Sequence, residues 1–357
     1  MPRLKKWFLI PLGLAALLAA GSLVLAFFFT DFIVDLWWFS SLDYEEFFWL
    51  RLTYRYLVLT AFTLIFFTIF FLNFWIGSRY LGTTTPPLAD DQARSRYRKL
   101  VHSFRTGSLR FYAPFSLVLA VLVSWPLYKN WEETLLYLFG PPAGWQDPYF
   151  GKDISFYLFS LPVYENFVNE LLLALALLLL ALLLLYWIES RVLARQEQTM
   201  PVGARVHLNF LIFLLIVVAA WRFFLERYQL LYGTNHAPLF SGPGFVEMYC
   251  TLPVLYLTVA ALLLAGLATI HYLATKRGVK LLVGFLLLLA ASLGLKYWPA
   301  PVDLLQKYFV APNEISRERN FIAKHIAATL RAYNLHRVET REYELASEDW
   351  EARALRL

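Results

Sequence analysis

The stretch Phe167–Ile188, FVNELLLALALLLLALLLLYWI, is an apolar run whose last eighteen positions carry no charged residue. An α-helix rises about 1.5 Å per residue, so a run of this length reaches across a hydrocarbon core of about 30 Å. A surface helix of a soluble protein needs a polar face, which this run lacks. The stretch therefore predicts a helix that crosses a membrane.

Six further runs of similar length and character predict additional spans. They are Trp7–Thr30, Tyr56–Ile76, Phe111–Tyr128, Leu208–Leu225, Leu252–Ile270 and Val279–Trp298. The composition agrees, because 59% of the residues are hydrophobic and 16% are charged, whereas about a quarter are charged in soluble domains. The first run exceeds the roughly 7–15 residues of a signal-peptide core, so we interpret it as a retained helix. The predicted fold is an all-α bundle of seven spans over residues 1–298.

The Lys and Arg residues of the connecting loops predict the orientation, because they accumulate on the cytoplasmic side. The N-terminus and every second loop together hold fifteen, whereas the alternate loops hold five. This difference places the N-terminus in the cytoplasm and, after seven spans, the tail 299–357 outside the cell membrane. The net charge of +6 is then a topology signal, and no nucleic-acid partner is predicted.

The outer ends of the spans carry candidate contacts for lipid or for a partner. Trp37 and Trp38 suit the headgroup level of a bilayer. Arg51 and Arg55 are four residues apart on one helix face, where they can meet phosphates or simply reach water. Arg222 lies at the outer end of the fifth span, where snorkelling beside aromatic residues is the alternative interpretation.

The outer loop before the fourth span contains DPYFGKDISFYLFSLPVY, residues 147–164. Its Asp-Pro and Phe-Gly pairs are turn signals, and Asp153 can cap a short segment, Ile154–Ser160. Seven residues cannot cross a bilayer, and a free loop would not normally expose so many aromatic residues. We therefore predict an interfacial segment that either packs structurally or forms a binding groove. The candidate contacts of such a groove are Phe156, Tyr157 and Phe159.

The tail predicts an amphipathic helix outside the membrane. Asn313 is a good N-cap, and apolar residues recur at helical spacing over Glu314–Ala332 with charged residues between them. The apolar positions are Ile315, Ile322, Ile326, Leu330 and Tyr333. The following RVETREYEL predicts a strand. One helix and one strand bury too little surface to fold alone, so we expect the tail to begin a larger extracytoplasmic domain whose remainder is missing.

Few residues suggest chemistry. Cys250 is the only cysteine, and the six histidines include no pair at ligand spacing, so neither a metal site nor a cofactor is predicted. We interpret His236 as an exposed loop histidine without a partner. Turn capping accounts for Asp147 and Asp153, and no acid–base pair or nucleophile motif is present. An enzyme is therefore the least favoured class.

A Trp/Phe-rich outer loop and three segments that follow it together resemble uncharacterised protein family 0182 (UPF0182), a family of multi-pass bacterial membrane proteins. The three segments are DPYFGKDISFYLFSLPVY at residues 147–164, RVHLNFLIFLLIVVAAWRFFLERYQLLYG at 205–233 and FVAPNEISRERNFIAKHIAATLRAYNL at 309–335. The resemblance implies seven spans followed by a long extracytoplasmic region, of which this chain holds only the start. It implies no catalytic residue, because the family has no established activity.

Two classes of function are favoured. The first is a non-enzymatic scaffold or envelope assembly protein, because the informative residues concentrate in the outer loops and tail while the span centres lack ionisable groups. The alternative is a transporter or lipid-handling protein, in which aromatic outer loops admit a lipid and the three arginines contact headgroups. The expected partners are the lipid bilayer and an envelope protein.

Overall fold

The computed structural model describes residues 18–81 except 20, 24–25 and 27–28, the isolated positions 95, 96 and 99, and residues 110–194, 199–236 and 240–339. Within these ranges the ordered elements are helices, and no strand is present. The chain divides into two compact units. Unit 1 comprises Met1–Gly144 and Asp153–Val218, and unit 2 comprises Trp145–Lys152 and Ala219–Leu357.

The α-helices are numbered here in chain order. They are α1 (Glu45–Ser78), α2 (Tyr112–Lys129), α3 (Trp131–Phe139), α4 (Leu161–Ala194), α5 (Val202–Gln229), α6 (Leu252–Thr275), α7 (Val279–Tyr297), α8 (Ala300–Leu305) and α9 (Glu314–Ala332). Residues 29–41 are also helical. Five-residue π-helical turns occupy Phe156–Ser160, Glu247–Thr251 and Gln306–Val310.

Six helical stretches are long and apolar enough to cross a membrane. They are Glu45–Ser78, Tyr112–Lys129, Phe156–Arg191, Val202–Tyr232, Glu247–Thr275 and Val279–Tyr297. They coincide with six of the seven predicted spans. Most of the first predicted span, Trp7–Thr30, lies outside the described residues, and its described positions, 18, 19, 21–23, 26, 29 and 30, are helical. Most of the predicted strand after residue 336 also lies outside the described residues. A helix satisfies its backbone hydrogen bonds internally, which hydrocarbon requires of any segment that crosses it.

The core of unit 1 is a row of aromatic rings along α1. Phe66, Phe70 and Phe74 follow one another every four residues and are fully buried. The ring of Phe167 from α4 packs 6.2 Å from that of Phe66, and the ring of Phe115 from α2 packs 5.5 Å from that of Phe74. Dispersion contacts of this kind hold helices together in a bilayer, where burial from water supplies no driving force.

A chain of hydrogen bonds joins three helices of unit 1. His207 Nε2 lies 3.0 Å from Asn73 Oδ1, and His207 Nδ1 lies 3.0 Å from the Tyr186 hydroxyl. The Asn73 amide donates to the Ile69 carbonyl, so its oxygen faces the imidazole and accepts from Nε2–H. Nδ1 then accepts from the tyrosine hydroxyl. Each buried polar group is thereby paired, which accounts for the one amide that the sequence places in the second span.

In unit 2, α6 and α7 form an antiparallel pair. Small residues of α6, including Ala261 and Ala265, are buried and permit close approach of the two backbones. The connecting turn uses Lys276 and Gly278, which have φ of 56° and 82°. Because the helices are antiparallel, the start of α6 and the end of α7 lie at the same end of the pair.

The opening of α4 corrects one prediction. We expected a separate interfacial segment over residues 154–160, followed by a span that begins near Phe167. Instead, the π-helical turn Phe156–Ser160 continues directly into α4, and Phe156–Arg191 forms one apolar helix. The Leu161 N–H reaches back to the Phe156 carbonyl. The wider turn allows the helix to continue through Pro162, which has no N–H of its own.

Two leucines of α4 provide a test of the packing. Leu178 is fully buried, whereas Leu180 is 67% exposed on the surface of the described chain. Leu178→Ala leaves a cavity and is expected to cost about 2–5 kcal/mol, measured as the free energy of unfolding in mixed micelles. Leu180→Ala is the matched control, and we expect it to change stability by less than about 1 kcal/mol, because lipid fills the space of the lost methyl groups. Equal losses in both variants would contradict this packing.

Candidate functional site

The turn at residues 147–152 is organised by one buried carboxylate. Asp147 Oδ1 accepts hydrogen bonds of 2.8 Å from the backbone N–H groups of Tyr149 and Phe150, and Oδ2 accepts one of 3.0 Å from Lys152. Gly151 has φ of 66°, a conformation that favours glycine. The turn belongs to unit 2 and fixes the position of the Tyr149 side chain.

Asp153 performs the capping role that the sequence predicts for it. Its Oδ1 accepts from the Ser155 N–H at 2.8 Å, at the start of the helical segment. The same carboxylate accepts from the N–H groups of Ala143 and Gly144 at 3.0 Å. These hydrogen bonds, first of all that to Ser155, lower the pKa of Asp153. The group is therefore a structural anion that joins two loop segments.

Helix α9 is fastened to the start of the helical segment that leads into α6 by a second buried carboxylate. Glu318 is fully buried, and both of its oxygens accept from the Phe245 N–H, at 3.0 and 3.1 Å. Burial raises the pKa of Glu318, and the neighbouring Glu247 carboxylate adds to this shift, while the Phe245 N–H and His236 oppose it. The hydrogen bonds from the Phe245 N–H therefore hold α9 in place, although burial disfavours the charged form of the carboxylate.

His236 is not an exposed loop residue, and that interpretation was wrong. Its Nε2 lies 3.0 Å from Glu247 Oε2, and its side chain is 7% exposed. Its ring stacks on Phe240 with centroids 4.5 Å apart. Glu247 also accepts from Asn235 Nδ2 at 3.1 Å and from the Gly244 N–H at 3.0 Å. A Cβ on Gly244 would collide with the His236 ring and reach 3.0 Å from Glu318 Oε2, so this packing requires glycine.

Above these carboxylates lies a cleft of about 700 Å³, which we call the α9 cleft. One face of α9 forms one wall, and the turn at Tyr149 and the start of the α6 helical segment form the other. The lining residues are Tyr149, Phe245, Met248, Tyr249, Ser316, Arg317, Asn320, Phe321, Ala323 and Lys324. The volume suits a small ligand or part of a larger one.

Stacked rings and two cations define the chemistry of the α9 cleft. Tyr149 stacks on Phe321 with an interplanar angle of 9°, and Lys324 Nζ lies 4.4 Å from the centre of the Tyr149 ring. The Arg317 guanidinium lies 4.3 Å from the centre of the Phe309 ring. Burial, together with the Glu318 and Asp147 carboxylates, raises the pKa of Tyr149 to about 12. The tyrosine therefore stays neutral and the cations supply the charge.

Two residues that the sequence analysis singled out lie together elsewhere, in unit 1. Arg51 and Arg55 line a cavity of about 280 Å³, and the Arg55 guanidinium lies 4.4 Å from the centre of the Tyr128 ring. Asp31 and Asp35 line the same cavity. The cavity thus combines two guanidinium groups with two carboxylates, and the sequence reasoning did not consider the acidic pair.

The other predicted contacts do not line that cavity. Trp37 and Trp38 are 70% and 58% exposed, whereas Tyr157 is buried with Phe156 against its ring. The ring of Phe159 packs so closely on Gly140 that a Cβ there would lie 2.6 Å away. Phe156, Tyr157 and Phe159 thus pack within the fold, while the two tryptophans lie at the surface.

Arg222 belongs to unit 2 and contacts an acidic residue of its own helix. Its Nη1 lies 3.7 Å from Glu226 Oε1, and Lys296 Nζ from α7 lies 2.6 Å from the other oxygen of Glu226. Snorkelling alone therefore does not describe these cations, because they share a carboxylate that links α5 to α7.

Comparison with known proteins finds similarity over nearly the whole chain. The model of UPF0182, described as an uncharacterised protein family, matches residues 12–356. A UPF0182 protein of Syntrophobacter fumaroxidans is 46% identical over 349 residues, which is 96% of this chain and 40% of that protein. One from Nitrosococcus oceani is 43% identical over 346 residues, again 96% and 40%. The chain thus spans about 40% of the length of these relatives. No solved structure matches it.

The buried carboxylate of α9 predicts a dependence of stability on pH. Because the folded-state pKa of Glu318 is raised above its usual value of 4.5, its contribution to stability is complete below that value and is lost as pH rises through the folded-state pKa. Glu318→Gln should remove this loss, so its unfolding temperature should fall less than that of the wild type between about pH 5 and pH 8. Glu132→Gln, at an exposed position in the first turn of α3, is the control and should keep the wild-type slope. Parallel curves for wild type and Glu318→Gln would contradict the assignment.

Proposed function

Because the chain belongs to the UPF0182 family, which is described as uncharacterised, we propose its function from its own surfaces. We propose that it is a membrane-embedded, non-enzymatic scaffold that binds an envelope protein through α9. The six apolar helices hold it in the membrane. The fifteen-to-five distribution of Lys and Arg residues supports a location in the cell membrane with a cytoplasmic N-terminus and an extracytoplasmic tail.

The observation that carries the proposal is an exposed apolar face on α9, which we call the α9 stripe. Its members with their exposed fractions are Ile315 (84%), Ile326 (52%), Leu330 (39%) and Tyr333 (74%). The residues that α9 buries are instead Glu318 and Phe321. The helix thus presents these four apolar side chains outward, whereas Ile322 is half-buried and Phe321 packs inward. A contiguous exposed apolar face of this kind is typical of an interaction surface.

The direction of the α9 stripe supports a protein partner rather than the bilayer. Each helical residue advances by about 100°, so Ile315 and Tyr333 lie about 180° around the helix from Lys324. Lys324 lines the α9 cleft together with Met248 and Tyr249, which stand at the start of the α6 membrane-crossing segment. The α9 stripe therefore faces away from that segment.

The charge pattern adds a feature that the partner should match. Arg319 is exposed, and at about 100° per residue it falls between Ile326 and Leu330 on the α9 stripe. A matching surface carries apolar residues with a carboxylate among them, because a cation left without a counter-charge in an interface is costly.

The proposal is non-enzymatic because the carboxylates near α9 are engaged by the fold: Glu318 accepts from Phe245 and Glu247 from three groups.

Site-specific photo-crosslinking in native membranes tests this function. A crosslinker at Ile326 or Tyr333 is expected to capture one defined protein, and the matched position Ala327, about 100° away around the helix, is expected not to. Arg319→Glu should reduce capture at least fivefold, and Lys in place of the partner's facing carboxylate should restore it. Capture of lipid alone, of a second copy of this chain, or of nothing at Ile326 would overturn the proposal.

The cavity at Arg51 and Arg55 favours a second candidate, a lipid-handling protein. Its two guanidinium groups suit the phosphate of a zwitterionic headgroup, and its two carboxylates suit the ammonium. Among the described residues, no ion pair within 4 Å joins Asp31 or Asp35 to either arginine. Arg51→Ala combined with Arg55→Ala should then reduce co-purified zwitterionic phospholipid several-fold and alter envelope permeability. If both quantities stay at the wild-type level, this candidate function is abandoned.

A further inference from the structure

The polar groups of the α9 cleft are largely without partners. In the described part of the chain, the guanidinium of Arg317, the hydroxyl of Ser316 and the amide of Asn320 make no hydrogen bond, and Arg317 makes no ion pair. Lys324 Nζ donates one hydrogen bond, of 3.2 Å, to the Pro148 carbonyl, which leaves two N–H groups unused. The wall formed by α9 therefore presents several free donors and two positive charges.

No carboxylate balances these cations inside the α9 cleft. Its ten described lining residues include no Asp or Glu. The carboxylate of Glu318 is fully buried behind the wall, where both oxygens face the Phe245 N–H. An anionic ligand would thus meet donors and cations without a facing acidic side chain.

We propose that the α9 cleft binds the phosphate of a phospholipid headgroup. Arg317 and Lys324 are seven residues apart on α9, a rise of about 10 Å, so the two cations can contact a phosphate and a neighbouring headgroup oxygen. Arginine and lysine both form short charge-assisted hydrogen bonds to phosphate oxygens. Ser316 and Asn320 line the same cleft and supply further donors.

The aromatic residues around the α9 cleft favour a lipid as the source of the phosphate. Tyr249 in the cleft wall is 68% exposed, and Tyr308, next to Phe309 in the same unit, is 69% exposed. Tyr297 and Trp298 at the end of α7 are 67% and 61% exposed, and this end of α7 lies beside the start of α6. Such a concentration of exposed Tyr and Trp is typical of the level of lipid headgroups.

This site is separate from the surface on which the scaffold function rests. The α9 cleft and the α9 stripe lie on opposite sides of one helix, so each can be altered alone. A variant that loses the protein partner should keep the lipid site, and a variant that loses the lipid site should keep the protein partner.

Native mass spectrometry of the full chain, purified and stripped of lipid, tests the proposal by titration with phosphatidylglycerol. The cleft variant Arg317→Gln with Lys324→Gln should bind it at least tenfold more weakly than the wild type. The control variant Arg319→Gln with Arg337→Gln removes the same charge outside the cleft and should bind as the wild type does. Lys324→Arg keeps the donor and the charge and should retain most of the binding. Thermal unfolding of each variant verifies that it is folded.

Soluble competitors identify the source of the phosphate. If neither inorganic phosphate nor glycerol phosphate displaces the lipid at equal concentration, the lipid assignment is supported. If either displaces it equally well, the site binds a soluble anion and the lipid assignment is overturned. Equal affinity for uncharged diacylglycerol, or an equal loss of binding in the control variant, would overturn the phosphate site itself.

Discussion

The need to satisfy backbone hydrogen bonds around three prolines shapes both units of this protein. Pro162, Pro253 and Pro312 each lie two positions after a five-residue π-helical turn. In each case the residue before the proline donates its N–H to the carbonyl five positions back: Leu161 to Phe156, Leu252 to Glu247, and Ala311 to Gln306. A proline has no N–H and its ring crowds the preceding turn, so a locally wider turn allows the chain to remain helical.

These turns also place the groups that build the α9 cleft. The turn Glu247–Thr251 carries Glu247 toward His236 and positions Met248 and Tyr249 in the cleft wall. The turn Gln306–Val310 presents Phe309 to Arg317 before α9 begins. Two of the three π-helical turns thus border the α9 cleft, which combines aromatic rings with unpaired donors. This agrees with the frequent occurrence of π-turns at functional sites.

The sequence predicted the helices far better than their contacts. Six apolar runs correspond to apolar helices because length and hydropathy are local properties. Helix α9 has the predicted bounds Glu314–Ala332, although the Asn313 side chain makes no capping hydrogen bond. The pairing of Glu318 with Phe245 joins residues 73 positions apart, and no local pattern reveals it. The same limit explains the error at His236. The apolar period of α9 was visible, but its exposure was not, because burial of Glu318 and Phe321 rotates that face outward.

The burial of Glu318 explains why one short helix can present two different surfaces. A carboxylate without a cation partner is an expensive anchor, yet it leaves every apolar side chain of the α9 stripe available outside the fold. Among the described residues that line the α9 cleft, it also leaves Arg317 and Lys324 without a carboxylate to neutralise them. An apolar anchor at the same position would have stabilised α9 at lower cost, but by a contact that tolerates rotation of the helix. The Phe245 N–H donates to both oxygens of Glu318, which sets the rotation of α9 about its axis. This rotation directs the cations toward Tyr149 and the start of α6, while the apolar face points away.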